Sequence, residues 1–194
     1  MASMKGGTQI SQIELREITA DNWRAVVRIE PRVDQRRFVA SVAYYLNLCH
    51  YGEVWHPVAF YRAGEPVGFA MWGYDAEDDS HWIGGLVIDA KFQGKGYGRS
   101  AMEAILEYLA RQPGYREAAL SYEPENTVAR RLYASLEFVE TNERADDEYV
   151  ARRPADDNTR RMTCGYWSRV QEARSERLPW QRFWRPVTTC GPRT

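Results

Sequence analysis

The residues best suited to chemistry sit close together. Gln93-Gly-Lys-Gly-Tyr-Gly98 is a glycine-dense loop, with Lys95 inside it and Arg99 directly after it. Glycines let backbone N–H groups approach a ligand closely. When a helix follows, its first N–H groups have no partner inside the helix, and its dipole puts roughly half a positive charge there. A loop of this composition can hold a phosphate. It is not a Walker A box, because no Lys-Ser or Lys-Thr follows a Gly-x-x-x-x-Gly frame. Its glycines, Gly94, Gly96 and Gly98, also miss the dinucleotide spacing, and no acidic residue ends a following strand at the usual distance. The plain alternative is a glycine-rich turn without a ligand.

The flanking residues predict how the loop is positioned. Leu86, Val87 and Ile88 form a short apolar run suited to a buried strand. Ala101, Met102, Ile105, Leu106 and Leu109 recur at helical spacing from Gly98 onward. Upstream, Gln12–Ile18 reads as a first strand, and Asp21 as the cap of a short helix ended by Pro31. Gln35–Leu48 reads as a second helix. Trp55–Tyr61 and Pro66–Tyr74 read as a hairpin around Ala63-Gly64-Glu65. Asp75–Ser80 is an acidic loop, and His81–Ile88 is the strand entering the glycine loop. His81 is expected at a strand edge or in a loop rather than on a metal, since no second histidine lies at ligand spacing. Downstream come a strand over Glu117–Tyr122 and a helix over Thr127–Leu136 capped by Asn126, with Val128, Leu132 and Leu136 as its buried stripe. A closing hairpin over Phe138–Asn142 and Glu148–Arg152 completes the domain.

Composition limits the function further. At 194 residues and 44% apolar content, the chain can bury a core of its own. A net charge of −1 argues against bulk nucleic-acid binding, and no apolar run is long enough for a membrane span. The three cysteines, Cys49, Cys164 and Cys190, show no paired ligand spacing. They read as thiols in a reducing compartment, the cytoplasm. Residues 1–11 look like a loose leader, 12–153 like one domain and 154–194 like an appendage. From Arg153 onward there are nine arginines, no lysine and four acids, a formal +5, together with Trp167, Trp180 and Trp184. Ser168–Leu178 is a candidate short helix there.

Three blocks then agree in order and spacing: Val67-Gly-Phe-Ala-Met71, the Gln93–Gly98 loop, and Asn126-Thr-Val-Ala-Arg-Arg-Leu-Tyr-Ala-Ser-Leu-Glu-Phe138. Together they resemble the GNAT acetyltransferase superfamily, and within it the bacterial spermine/spermidine (diamine) acetyltransferases. The resemblance implies an α+β fold, a mixed and mostly antiparallel central sheet flanked by helices. It implies acetyl-CoA as co-substrate and a small primary amine as acceptor. Backbone groups of Leu86, Val87 and Ile88 would hold the pantetheine arm. The pyrophosphate would lie on the N–H groups of Gln93, Gly94, Lys95, Gly96, Tyr97, Gly98 and Arg99. Tyr133 would protonate the departing thiolate, and Asn126 would line the pantetheine or order the site. Read blandly, Tyr133 is a core tyrosine.

The sequence departs from this family twice. Gly84-Gly85 stands where polyamine acetyltransferases carry a strand carboxylate, and Glu137 stands where they carry a helix-ending glycine. Removing a proton from an alkyl ammonium at neutral pH costs about 4–5 kcal/mol, given an ordinary alkylamine pKa near 10.4. Glu123 is the first candidate for a carboxylate that contacts the ammonium or a proton-carrying water, followed by Glu53 and Asp75. The acidic loop Asp75–Asp79, with Trp55, Trp72 and Trp82 nearby, is a further candidate for cation recognition. An aminated antibiotic is an alternative acceptor. The rival reading is a non-catalytic acetyl-CoA-binding module that senses CoA or binds a partner through the Arg/Trp segment. A homodimer stays open.

Overall fold

The structure, a computed structural model, describes residues 13–156. The leader, the helix over Ser168–Leu178, Cys164, Cys190 and the three late tryptophans lie outside the described residues. β1 (Glu14–Glu17) is shorter than expected. α1 is only Trp23–Val26, and its cap is Asn22 rather than Asp21. The Asn22 side chain is spent on the turn, accepting from Thr19 N at 2.8 Å and donating to Glu17 O at 2.9 Å.

The expected helix over Gln35–Leu48 is corrected. A short 3₁₀ turn over Val33–Gln35 comes first, and α2 spans Val42–Tyr51. Ser41 explains the later start: its Oγ accepts from Tyr44 N at 3.2 Å, so the helix begins after it.

β2 (His56–Arg62) and β3 (Glu65–Asp75) form the hairpin, with Ala63 and Gly64 both at positive φ, as a two-residue hairpin turn requires. β4 covers Ser80–Ile88, α3 Tyr97–Leu109 and β5 Glu117–Tyr122. α4 covers Thr127–Ala134, capped by Asn126 Oδ1, which accepts from Ala129 N at 3.1 Å. β6 (Val139–Ala145) and β7 (Glu148–Pro154) close the chain. The stripe expected on α4 is corrected at Val128, which is exposed; Tyr133 and Leu136 are buried and Leu132 is partly so. At the helix end Glu137 has φ 67°, the left-handed conformation that glycine would adopt freely.

The seven strands form one sheet in the order β1-β2-β3-β4-β5-β7-β6. Every pairing is antiparallel except β4 with β5. This is the mixed, mostly antiparallel α+β sheet expected. Alternating side chains divide the core. Val58 and Phe60 face the side covered by α3 and Tyr133, whereas Ala59 and Tyr61 face the side covered by α1 and α2. His81 is corrected too. It lies inside β4, 2% exposed, with the rings of Trp72, Tyr74 and Tyr115 around it. Burial lowers its pKa to about 4, so it is neutral at pH 7. No cluster of potential metal ligands occurs among the described residues.

Candidate active site

The site originates in a split in the sheet. β4 pairs with β5 only over His81–Ile83 and Ala118–Leu120. From Gly84 onward the two strands diverge, while β4 keeps β3 as its neighbour up to Ile88. Gly85, at φ 60°, coincides with a register shift against β3 that bends β4 away. The backbone of Gly84–Ile88 therefore presents an edge without a strand partner on the β5 side. An extended amide chain can hydrogen-bond to such an edge as an added strand does.

A cavity of about 230 Å³ fills this split. Its lining includes Leu86, Val87, Ile88, Gln93, Gly94, Gly98, Glu123, Asn126 and Tyr133. Nine of the residues singled out from sequence thus line one space, though they come from β4, the glycine loop, β5 and α4. Phe38, Val39 and Tyr45 reach the cavity from the α2 side of the sheet, and Ala129, Leu132 and Tyr133 from the α4 side. The opening passes through the sheet.

The glycine loop is built to leave N–H groups available. Gly96 caps α3 with φ 83° and offers no side-chain cap. Ser100 N is the first helix N–H to bond back, to Gly96 O at 3.2 Å. The N–H groups of Tyr97, Gly98 and Arg99 thus precede the first intrahelical bond. A Cβ added at Gly94 or Gly96 would meet nothing within 4 Å, so the space over the loop is open.

Four of the expected residues do not line the cavity with their side chains. Lys95 Nζ donates to Lys91 O at 2.9 Å. Tyr97 is buried against Phe92 in the core. Arg99 bonds Ser135 Oγ at 2.8 Å and pairs with Glu103 at 3.0 Å. Gly96 has no side chain to contribute. Gln93 ties the loop to β4, its Nε2 donating to Ile88 O at 2.8 Å.

Tyr133 is 8% exposed and packs against Tyr122 and Phe138, with ring centroids 5.5 and 6.0 Å away. Its hydroxyl makes no hydrogen bond among the described residues. Burial, and then the negative charge of Glu148, push its pKa up, so the phenol keeps its proton at neutral pH. Tyr122 also rises, by burial first and then by its hydrogen bond to Glu140. Arg130 grips the same carboxylate at 2.7 and 2.9 Å, which fastens α4 to β6 and so fixes Tyr133. Burial raises the Cys49 thiol to about 12, so it is not a thiolate at pH 7.

The acidic loop is not part of the cavity. It lies at the start of β4, whereas the cavity lies along Ile83–Ile88. Its charges are engaged locally: Asp78 with Arg152 at 2.6 Å, Asp79 with Arg116 at 2.9 Å and the Tyr74 hydroxyl at 2.7 Å. Asp75 Oδ1 accepts from Glu77 N at 2.9 Å. Trp55, Trp72, Trp82 and Glu53 are absent from the cavity wall as well; its aromatic residues are Phe38, Tyr45, Tyr122 and Tyr133. Sequence reasoning missed Tyr45, Ser121 and Glu148. Only the pairing of β5 with β7 brings Glu148 beside Ser121, whose hydroxyl donates to it.

The Acetyltransferase (GNAT) family profile matches residues 14–138, well over half the chain. The chain belongs to the GNAT acetyltransferase family. It is 31% identical over 135 residues to a spermine/spermidine N(1)-acetyltransferase of Bacillus subtilis, covering 65% of this chain and 87% of the relative. Among solved structures, aminoglycoside acetyltransferase AAC(6')-Ib in complex with coenzyme A and kanamycin superposes with a TM-score of 0.64 at 20% identity, over 78% of this chain and 99% of that one. The ribosomal-protein-S18-alanine N-acetyltransferase of Escherichia coli gives a TM-score of 0.57 at 20% identity, over 76% of this chain and 98% of that one. Both structures share the GNAT fold.

Proposed function

We propose that this GNAT enzyme transfers the acetyl group of acetyl-CoA to a primary amine, with a polyamine or diamine such as spermidine or spermine as acceptor. The observation that carries this reading is the split between β4 and β5, which opens onto both faces of the sheet. Acetyl-CoA would enter from the α3–α4 side. Its pyrophosphate would lie on the N–H groups of Gln93–Arg99, and its pantetheine would run along Leu86–Ile88 past Asn126. The neutral Tyr133 phenol would donate its proton to the leaving thiolate. The acceptor would come from the α2 side, where Phe38 and Tyr45 supply apolar wall and Glu123 stands at the end of β5.

The named polyamine acetyltransferase at 31% identity supports the cationic acceptor. An aminoglycoside is the second reading, favoured by the fold likeness to an enzyme solved with kanamycin. A competition assay separates them: CoA thiol release is followed with spermidine, spermine, kanamycin and a neutral arylamine in one mixture, and the acetylated products are counted. Spermidine and spermine are expected to dominate. Dominance of kanamycin selects the second reading. Dominance of the arylamine, or release without any acetylated amine, contradicts a cationic acceptor.

A further inference from the structure

We propose that Glu148, oriented by Ser121, is the anion that receives the reacting ammonium of the acceptor, in place of a carboxylate on β4. This deepens the amine-acetyltransferase reading and rests on it. The first argument is steric. A Cβ at Gly84 would meet Met71 Cε at 3.0 Å and the Trp55 ring at 3.3 Å. At Gly85, already at φ 60°, it would meet three Tyr45 ring atoms at 3.1–3.2 Å. Rings occupy the volume that a carboxylate at either position would need.

The second argument is position. The acids lining the cavity are Glu123 and Glu148. β5 and β7 pair antiparallel, with Ser121 opposite Val150 and Tyr122 opposite Tyr149. Glu148 is therefore the diagonal neighbour of Ser121 on one face of the sheet, and the Ser121 hydroxyl donates to its Oε2. Val150 and Ala119, on that same face, pack with Trp82 and Trp55, away from α3. Tyr133 lies across the split on the other face. The carboxylate and the phenol thus approach the opening from opposite sides, as an acceptor and a donor must. The negative charge of Glu148 reaches both Tyr45 and Tyr133 and raises each, after burial. Tyr133, 8% exposed as a residue and with no hydrogen bond from its hydroxyl among the described residues, lines the same space.

A carboxylate has about four acceptor sites, so it can accept from Ser121 and from a further donor at once. An ammonium beside it is held in place and can pass a proton through the carboxylate to solvent. Only about one amine in a few thousand is neutral at pH 7 in water. The neutral nitrogen attacks the thioester carbonyl; an N–C bond forms and the C–S bond breaks. Tyr133 protonates the thiolate, and the second proton lost by nitrogen restores the phenol. The balance is one acetamide, one CoA thiol and one proton released.

The test uses the full chain as wild type, Glu148→Gln, Glu148→Asp, Ser121→Ala and Glu123→Gln. Spermidine binding is measured by calorimetry on the CoA-saturated protein, beside steady-state rates. Glu148→Gln should weaken spermidine binding at least tenfold and cut kcat/KM for spermidine at least a hundredfold, while acetyl-CoA affinity stays within twofold. Glu148→Asp should recover part of the loss. If Glu148→Gln does not fold, Ser121→Ala carries the test with a three- to tenfold rise in the spermidine KM and unchanged acetyl-CoA affinity. Spermidine parameters within twofold of wild type, equal loss of acetyl-CoA and spermidine affinity, or a larger loss in Glu123→Gln would overturn the assignment. A wild type that acetylates no amine removes the acetyltransferase reading, and this inference with it.

Discussion

The two ends of β4 have opposite roles. Its first half, Ser80–Ile83, is buried, paired with β3 throughout and with β5 from His81 onward, and flanked by satisfied ion pairs. Arg152, 15% exposed, joins Asp78, Glu117 and Glu143 there at 2.6–2.7 Å. Its second half, Gly84–Ile88, has a neighbour on one side only and borders the cavity. One strand is therefore closed at one end and open to the cavity at the other, with Gly84 and Gly85 as the boundary. Charge alone is a poor guide to function here. The acid-rich loop belongs to the closed end, whereas the two cavity carboxylates, one just after β5 and one at the start of β7, come from farther along the chain.

The largest expected effect is at the open end. Gly96→Asp puts a side chain and a negative charge where the diphosphate would lie, at a backbone φ of 83°. It should abolish the rise in melting temperature produced by acetyl-CoA; an unchanged rise would contradict the assignment of the loop. Tyr133→Phe should lower kcat by about 10²-fold or more, as expected for a lost general acid, with the acetyl-CoA KM little changed. An unchanged kcat would return Tyr133 to the core.

At the closed end the expected effects are on stability. The depressed pKa of His81 means that the unfolded chain takes up a proton that the fold resists. That contribution is complete above about pH 6.5, declines as the pH falls and is fully lost below about 4. The melting temperature of wild type should fall over that window, and His81→Gln should fall less. Equal pH slopes would show that His81 is not the group responsible. Glu137→Gly should raise the unfolding free energy by about 1 kcal/mol, since glycine carries no penalty at φ 67°, while kcat and KM stay put. A destabilised Glu137→Gly would show that its 3.5 Å contact with Arg153 outweighs the backbone strain.

The strand, loop and helix of the proposed donor half were legible in the sequence because they are local. Strand, glycine loop and helix follow one another from Leu86 to Leu109, and each has its own periodicity or composition. The mixed, mostly antiparallel sheet was expected from the resemblance, but its strand order was not. The α2 boundary did not, because a single Ser41 cap outweighed an apolar pattern that began earlier. The proposed acceptor half was not legible, because it is made by pairing. Tyr45 comes from α2, Ser121 from β5 and Glu148 from β7, and no spacing in the chain relates them. Glu148 was hidden further because it opens a strand beside a turn, where an acid ordinarily reads as solvated.

Under the proposed function, acetyl passes from acetyl-CoA to a primary amine at the open end of β4. Mass spectrometry of spermidine incubated with the protein and acetyl-CoA tests it most directly, beside a parallel count of free thiol. One acetyl group gained per thiol released is expected, with product formation abolished in Gly96→Asp. Thiol release with unmodified spermidine, or equal product with and without the protein, would contradict it.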